Sequence, residues 1–444
     1  MELITSSSSK KRRSPSSPTT IQALNQDIIC NVLSFLDFIH IIRCTAVCNS
    51  WNKAIDKSKL LQTLYHKQRG IFGADFQIST SSEGNWKRQL QDLAISQHRS
   101  CLHAGAVDIY QWKGHSNGLR FINFLYNFFL PRIDKCKMKM GLVLTGGNNK
   151  VMRLWSVESY KCLAEYDLPH SGSLIDFNFD ESKVVGLVGS NICLWRRNER
   201  KNIFSSQGGQ FPRGACMCYV DPEAVVGCED GRARVFDMYG RKWSTIIKMH
   251  DGPITCLSFS DDQLLIGGSS FGRISLSDLS SDQQVARLKT NDSADLSTLC
   301  YSSRSHILFA GSRSGRASSW DLRMMRRLWE VRVSPNVLSS IQHMRDDISI
   351  LAMGGLDGVL RLVDQQTGDI LSGCIMDESS RKLYRSQSHH MTVTRKKGIR
   401  VSEDARIDLM PRTSRPSINC LAVGMQKVVT VHADGYVRVW RFTK

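Results

Sequence analysis

The stretch VGCEDGRARVF, Val226 to Phe236, decides the fold. An apolar run meets a turn containing Gly, a residue that accepts positive φ at no steric cost. A second run then alternates up to an aromatic residue. Alternation this short marks half-buried strands of an antiparallel sheet. The same pattern recurs as TGGNNKVMRLW (145–155), LVGSNICLW (187–195), IGGSSFGRISLS (266–277), AGSRSGRASSW (310–320), MGGLDGVLRLV (353–363) and VHADGYVRVW (431–440). The final residues are Trp155, Trp195, Phe236, Ser277, Trp320, Val363 and Trp440, stepped by 40, 41, 41, 43, 43 and 77 residues. A further alternating strand lies upstream of these runs, as in Ile254-Thr255-Cys256-Leu257-Ser258-Phe259.

A repeat of this length matches one four-stranded propeller blade, which takes ~40–45 residues. The chain is therefore predicted to be mainly β, with a seven-bladed propeller over residues 101–444. The long last step is read as one repeat carrying a basic loop insertion at 378–416. Only Arg441, Phe442, Thr443 and Lys444 follow Trp440, too few for an outer strand. Val107-Asp108-Ile109-Tyr110-Gln111-Trp112 alternates suitably and is predicted to supply that strand, which removes a loose sheet junction.

On these residues the chain resembles WD-repeat proteins. The pieces are Gly114-His115 and Trp155, Asp230-Gly231, Trp320-Asp321, Asp357-Gly358, and Asp434-Gly435-Tyr436-Val437-Arg438-Val439-Trp440. The pattern departs where Asn149, Phe271 and Ser314 stand in place of Asp, and where the second unit shortens its turn at Ser190-Asn191.

Residues 21–66 carry a helical period instead: Leu24, Ile28, Val32/Leu33 and Leu36 step by about one turn, with Asn25 placed to cap the first helix. Three short helices bury too little to be robust alone, so a partner or an adjoining domain is expected. Leu24, the Asp27-Ile28-Ile29 group, Val32-Leu33-Ser34-Phe35-Leu36, Arg43 and Val47-Cys48 with Trp51 resemble the F-box. Asn25 and Asp37-Phe38 stand where that family usually has Pro. The resemblance implies a small all-α module that binds a Skp-type adaptor of a cullin–RING ubiquitin ligase, through Leu24, Ile28, Val32, Leu33, Leu36, Val47, Cys48 and Trp51. Apolar anchors at helical spacing around an aromatic dominate helix-in-groove interfaces.

Between the modules, at 67–100, Trp86, Leu90, Leu93 and Ala94 share one face of an amphipathic linker helix, which is expected to hold the two domains in a fixed relation. Residues 1–20 are a basic Ser/Pro-rich tail expected to be disordered. Lys10-Lys11-Arg12-Arg13 beside Ser14-Pro15 and Ser17-Pro18 reads either as a nuclear import signal or as a solubilising tail; the expected location is the nucleus and/or the cytoplasm.

Composition sets the outer limits. Of 444 residues, 41% are hydrophobic and 23% charged, which suits a folded chain, and the net charge is +18. No apolar run approaches the ~20 residues of a membrane span, and no secretory signal is read at the N-terminus. The fourteen Cys include no C-x-x-C; the nearest pairs are Cys216/Cys218 and Cys44/Cys48. Reduced structural thiols are expected, with no metal and no cofactor. Paired carboxylates, phosphate-cradling loops and nucleophile motifs are not found, so the chain is not expected to be an enzyme.

In the WD reading, the turns after the second strand of each blade share one face with the connections between blades. Arg232, Arg273 and Arg316 directly follow the turn Gly of three consecutive repeats, and Lys150 and Arg313 lie in equivalent turns. The insertion adds Arg381, Lys382, Arg385, Arg395, Lys396, Lys397 and Arg400. These cations form the candidate substrate-binding face, suited to an acidic or phosphorylated protein. Arg153, Arg234, Arg361 and Arg438 are a separate set to which no function is assigned. The leading function is a substrate-recognition subunit of an SCF-type ligase. Two alternatives stand beside it. Trp320-Asp321-Leu322-Arg323 resembles the box by which some WD proteins join cullin-4 ligases, although Ser314 and Ala317 depart from it. The other alternative is a non-catalytic scaffold for peptides or RNA; nucleic acid is not the expected partner, because neither a recognition helix nor a stacking platform is seen.

Overall fold

The computed structural model describes residues 25–36, 41–42, 44–72, 86–115, 133–147, 150–169, 172–206, 213–260, 262–281, 283–344, 349–379, 382–384, 392–401, 407–424 and 427–443. The chain divides into two compact units, Met1–Gln97 and His98–Lys444. The expected tail 1–20, Leu24, Asn149, Arg381 and Arg385 lie outside the described residues.

The N-terminal unit contains the helices Gln26–Ser34, Asn49–Lys57 and Leu60–Phe72. Asn25 occupies the cap position of the first, but its side chain makes no capping hydrogen bond; its carbonyl oxygen accepts the N–H of Ile29. The core joins Ile29, Leu33, Ile41, Ile55, Leu61 and Tyr65 with Leu90 of the helix Trp86–Ala104. The linker helix thus lends its apolar stripe to this core, with Trp86 and Ala94 packed against it.

The second unit is a seven-bladed propeller. Among the described residues, five separate four-stranded sheets occur, and two more blades lie within one ten-stranded sheet. The innermost strands, Ile133–Lys139, Leu174–Phe179, Gly214–Val220, Ile254–Phe259, Leu296–Ser302, Leu338–His343 and Ile418–Gly424, neighbour one another in a closed circle. Every one carries the same register shift near its start, for example between Ile133 and Lys135, Gly214 and Cys216, and Ile418 and Cys420. That common bulge aligns the blades independently of their divergent sequences. In the fourth, fifth and sixth blades the residue skipped by the shift reaches the next blade: the hydroxyl of Thr255 donates to Leu296 O (2.5 Å), that of Ser297 to Leu338 O, and that of Ser339 to Ile418 O (2.6 Å).

Ring closure follows the predicted route. Ala106–Lys113 pairs with Tyr436–Thr443, setting Ile109 opposite Trp440. The insertion differs from expectation. Rather than a basic loop, it contributes the strand Val393–Val401. One end of this strand pairs with Ala106–Lys113 (Gln111 opposite Thr394), and the other with the outer strand Ile370–Met376 (Gly373 opposite Val401). It therefore fills the gap between the outer edges of the sixth and seventh blades, and the short strand Lys382–Tyr384 covers part of its own edge. Two open edges, each with a row of unsatisfied backbone groups, are the physical reason that a segment with Val and Ile at strand positions is drawn into the sheet.

Two of its cations are engaged accordingly. Arg395 forms two hydrogen bonds to Asp108, the shorter 2.8 Å. Arg400 donates to the carbonyl oxygens of Cys101, Leu102 and Gly105. Those are carbonyls of the last turn of the helix Trp86–Ala104 and its cap; Cys101 O also accepts the Gly105 N–H at 2.9 Å. Arg395 and Arg400 are thus withdrawn from the expected target face.

Candidate functional site

Two surfaces and one buried ring hold the residues singled out above. On the N-terminal unit, Ile28 (48% exposed), Val32 (54%), Leu36 (38%) and Val47 (66%) are apolar and open to solvent. Phe35, 90% exposed, joins them. Exposed apolar side chains in this number on so small a unit make up the candidate interaction surface. Leu33 is only 3% exposed and belongs to the unit's own core, so it is removed from the candidate face. Its reason is helical geometry: from the same turn, Val32 and Leu33 point about 100° apart. Cys48 and Trp51 are half-buried, Trp51 packing against the core. The Cys48 thiol is held below its usual pKa by the Ser50 hydroxyl.

On the propeller, Lys150, Arg232, Arg273, Arg313 and Arg316 all sit at turns that lead from the second strand into the third. Lys150, Arg232, Arg273 and Arg313 are exposed and Arg316 is half-buried. Arg313 is paired with Asp295 at 2.7 Å. The strand register adds three cations that the motif reading missed. Arg232 lies opposite Lys248, Arg273 opposite Lys289, and Arg316 opposite Arg332. Each partner stands sixteen residues downstream, a regularity present in the sequence. Three consecutive blades thus place like charges directly across a ladder, an arrangement that costs stability. Exposed Phe271 lies beside this cationic rim. Asp251, paired with Lys248 at 3.1 Å, and Glu229 moderate its charge.

Around the axis, one side chain links each pair of neighbouring blades. Lys135 meets Asp176 at 2.7 Å, and Asp176 accepts the N–H of Met217. Cys216 approaches Ile254 O, Cys256 approaches Leu296 O, and Thr298 accepts Ile341 N–H. Ser340 donates to Leu421 O, and Cys420 approaches Cys136 O to complete the circuit. Several of the chain's many Cys are explained here: small, weakly polar side chains fit a crowded wall. Among the described residues, no group of three or more His, Cys, Asp or Glu is arranged to hold a metal ion, and no helix is long and apolar enough to cross a membrane.

Comparison with known proteins adds the decisive observation. The family model of the F-box domain matches residues 21–63. An F-box/WD-40 repeat-containing protein of Arabidopsis thaliana is 45% identical, over 98% of this chain and 97% of its own length. The chain belongs to the F-box/WD-40 repeat family. A mouse guanine nucleotide-binding protein subunit beta-like protein 1 is 25% identical over 30% of this chain and 43% of its own. A computationally designed protein, Ika8, superposes with a TM-score of 0.51 at 16% identity, covering 70% of this chain and 96% of that one, which speaks to the fold alone. An F-box joined to WD repeats supports a substrate-receptor type of role.

The WD signature is kept in function where it is lost in spelling. In the first blade Trp155 Nε1 donates to Thr145 Oγ1 (2.8 Å), and His115 Nε2 lies 3.0 Å from the same oxygen. The last blade builds the same triad from Trp440, Thr430 and His432, although His432 comes from the second strand rather than from the connection before the blade. Arg234, Arg361 and Arg438 each grip the turn Asp four residues earlier, Asp230, Asp357 and Asp434. Where the turn lacks Asp, at Phe271 and Ser314, the Arg position is Ser275 and Ser318, since a buried guanidinium without its counter-ion would be costly. In the fifth blade Asp292, from the preceding connection, takes the Ser314 hydroxyl instead. Arg153 pairs instead with Glu165 at 2.8 Å. In the W-D-x-R segment, Trp320, Asp321 and Leu322 are buried in the fifth blade, and Arg323 folds back on Asp321 at 3.0 Å.

Proposed function

We propose that the chain is the substrate-recognition subunit of an SCF-type ubiquitin ligase, without catalytic residues of its own. The observation that carries this reading is the exposed apolar set Ile28, Val32, Phe35, Leu36 and Val47 on a unit whose own core is already complete without it. A Skp-type adaptor would cover that set, as an apolar groove covers helix anchors. The propeller would hold the target protein at its cationic rim. Arg232, Arg273 and Arg316 with Lys248, Lys289 and Arg332 favour an acidic or phosphorylated segment, which would relieve their mutual repulsion. Acceleration of ubiquitin transfer would come from proximity, a bimolecular step becoming effectively intramolecular. Action in the nucleus and/or the cytoplasm fits this role. The cullin-4 alternative has less support, because three of its four residues are packed inside a blade.

The test is co-purification of adaptor and cullin with the full chain. Val32→Asp and Val47→Asp alter exposed positions and should abolish recovery of both at unchanged thermal stability. Recovery equal to wild type, or loss only with Arg323→Ala, would reject the assignment.

A further inference from the structure

We propose that Cys420 and Cys136 are a redox modification site, at which hydrogen peroxide installs a disulfide that closes the propeller ring covalently. The position is particular. Chain connectivity runs from Ala106–Lys113 through the first blade to the seventh, and the ring closes where Ala106–Lys113 pairs with Tyr436–Thr443 by hydrogen bonds alone. Cys136 lies on the inner strand of the first blade and Cys420 on that of the seventh, and these strands are neighbours. The Cys420 sulfur is 3.6 Å from Cys136 O, and Cys420 packs against the apolar cluster that contains Cys136.

Chemistry separates the two sulfurs. Cys420 is half-buried and Cys136 only 1% exposed, so peroxide reaches Cys420 first. The hydrogen bond from Cys136, which outweighs the effect of burial, together with the charges of Lys137 and Lys135, brings the Cys420 thiol down to about 6. The other cysteines of the inner wall, Cys216, Cys218, Cys256 and Cys300, are pushed up by burial. Thiolate is the nucleophile, so reaction concentrates at Cys420. Its sulfur attacks one peroxide oxygen, the O–O bond breaks, and a sulfenic acid and hydroxide form. The Cys136 sulfur then attacks the sulfenic sulfur and expels its oxygen. The released hydroxide and the expelled oxygen take up the two thiol protons as water. Two thiols and one peroxide thus give one disulfide and two waters, and the sulfurs lose two electrons. The bond encloses most of the propeller chain in one covalent loop, which restricts the unfolded state.

The experiment treats the full chain carrying Cys48→Ser with stoichiometric hydrogen peroxide, blocks remaining thiols, and maps peptides by mass spectrometry. The Cys48 change removes a second thiol of lowered pKa. The expected product joins the peptides containing Cys136 and Cys420. With Cys136→Ser added, the second step is blocked, and dimedone should label Cys420. The unfolding midpoint of the chain should rise on oxidation, return with dithiothreitol, and stay unmoved when Cys420→Ser is present. Absence of the crosslinked peptide once exposed Cys162 has oxidised, dimedone failing to label Cys420 in the Cys136→Ser protein, or a crosslink between another pair would overturn the proposal. Should Cys420→Ser fail to fold, the dimedone label in the Cys136→Ser protein decides alone.

Discussion

Lys135 of the first blade places its ammonium 2.7 Å from the Asp176 carboxylate of the second, at the inner wall of the propeller. Burial opposes the charge on Asp176, but Lys135, Lys137 and hydrogen bonds from Lys135 and Met217 keep its carboxyl below the ordinary value. Asp176 also accepts backbone N–H groups from Phe177 and Met217, so one carboxylate ties three consecutive blades together.

Removing only the cation strands a buried carboxylate. Lys135→Met should destabilise the propeller by about 3 kcal/mol. The double change Lys135→Met with Asp176→Leu should recover much of that loss. Chemical denaturation of the four proteins in a double-mutant cycle checks this. Because the Asp176 pKa is depressed in the folded state, its contribution is present above the ordinary carboxylate pKa and is lost as pH falls through the lower, folded value.

A second acid sensitivity begins at milder pH. Burial, reinforced by Arg153, lowers the His115 pKa to about 3, and burial with Arg438 lowers that of His432 to about 3. The unfolded chain therefore binds more protons below the ordinary histidine value, and stability falls with pH across that window. From neutrality to pH ~5 each histidine should cost about 2 kcal/mol. Melting curves at successive pH values, with wild type beside His115→Gln and His432→Gln, should show a shallower pH slope in each variant.

The two neighbours Val32 and Leu33 should part company. Leu33→Ala should cost about 2–5 kcal/mol of stability in the N-terminal unit through lost burial and a cavity. Val32→Asp should leave the melting profile unchanged while adaptor recovery disappears. Circular dichroism and pull-down on the same preparations separate the two effects.

The rim predicts a trade between stability and binding. Arg273→Glu turns a repulsive pair with Lys289 into an attractive one and should stabilise the fourth blade by about 0.5–1 kcal/mol at low salt. Retention of an acidic phosphopeptide should fall at the same time. Thermal denaturation and fluorescence anisotropy, each run at two salt concentrations, read both sides.

Arg400 should matter beyond its own strand. Arg400→Met removes the guanidinium donors to the carbonyls of Cys101, Leu102 and Gly105, of which Cys101 O keeps the Gly105 N–H. The loss should be about 1–3 kcal/mol. Hydrogen exchange should accelerate across residues 98–113, the end of the helix and the adjoining strand, before it does so in the fourth blade.

Much of this architecture was legible from order alone. Seven hydrophobic runs at blade spacing gave the propeller, the shortage of chain after Trp440 pointed to Val107–Trp112, and a helical stripe marked the N-terminal module. The insertion was misread because charge dominated its composition: strand pairing depends on open edges nearby, which a local reading does not see. Arg395 and Arg400 became partners of Asp108 and of helix carbonyls for that reason. Phe35 was passed over beside Leu33, since both are apolar and only packing distinguishes core from surface.

By itself the sequence determined periodicity: where strands and helices recur, how many blades they make, and which family they join. Such properties are set by neighbours along the chain. The tertiary structure alone decided which cations face solvent, which thiols meet and which departures from the repeat are repaired. These depend on groups far apart in sequence, as when Asp292 serves the turn at Ser314 or Cys420 meets Cys136. Burial and Coulomb energies act through distance in space, and that distance is fixed only once the ring has closed.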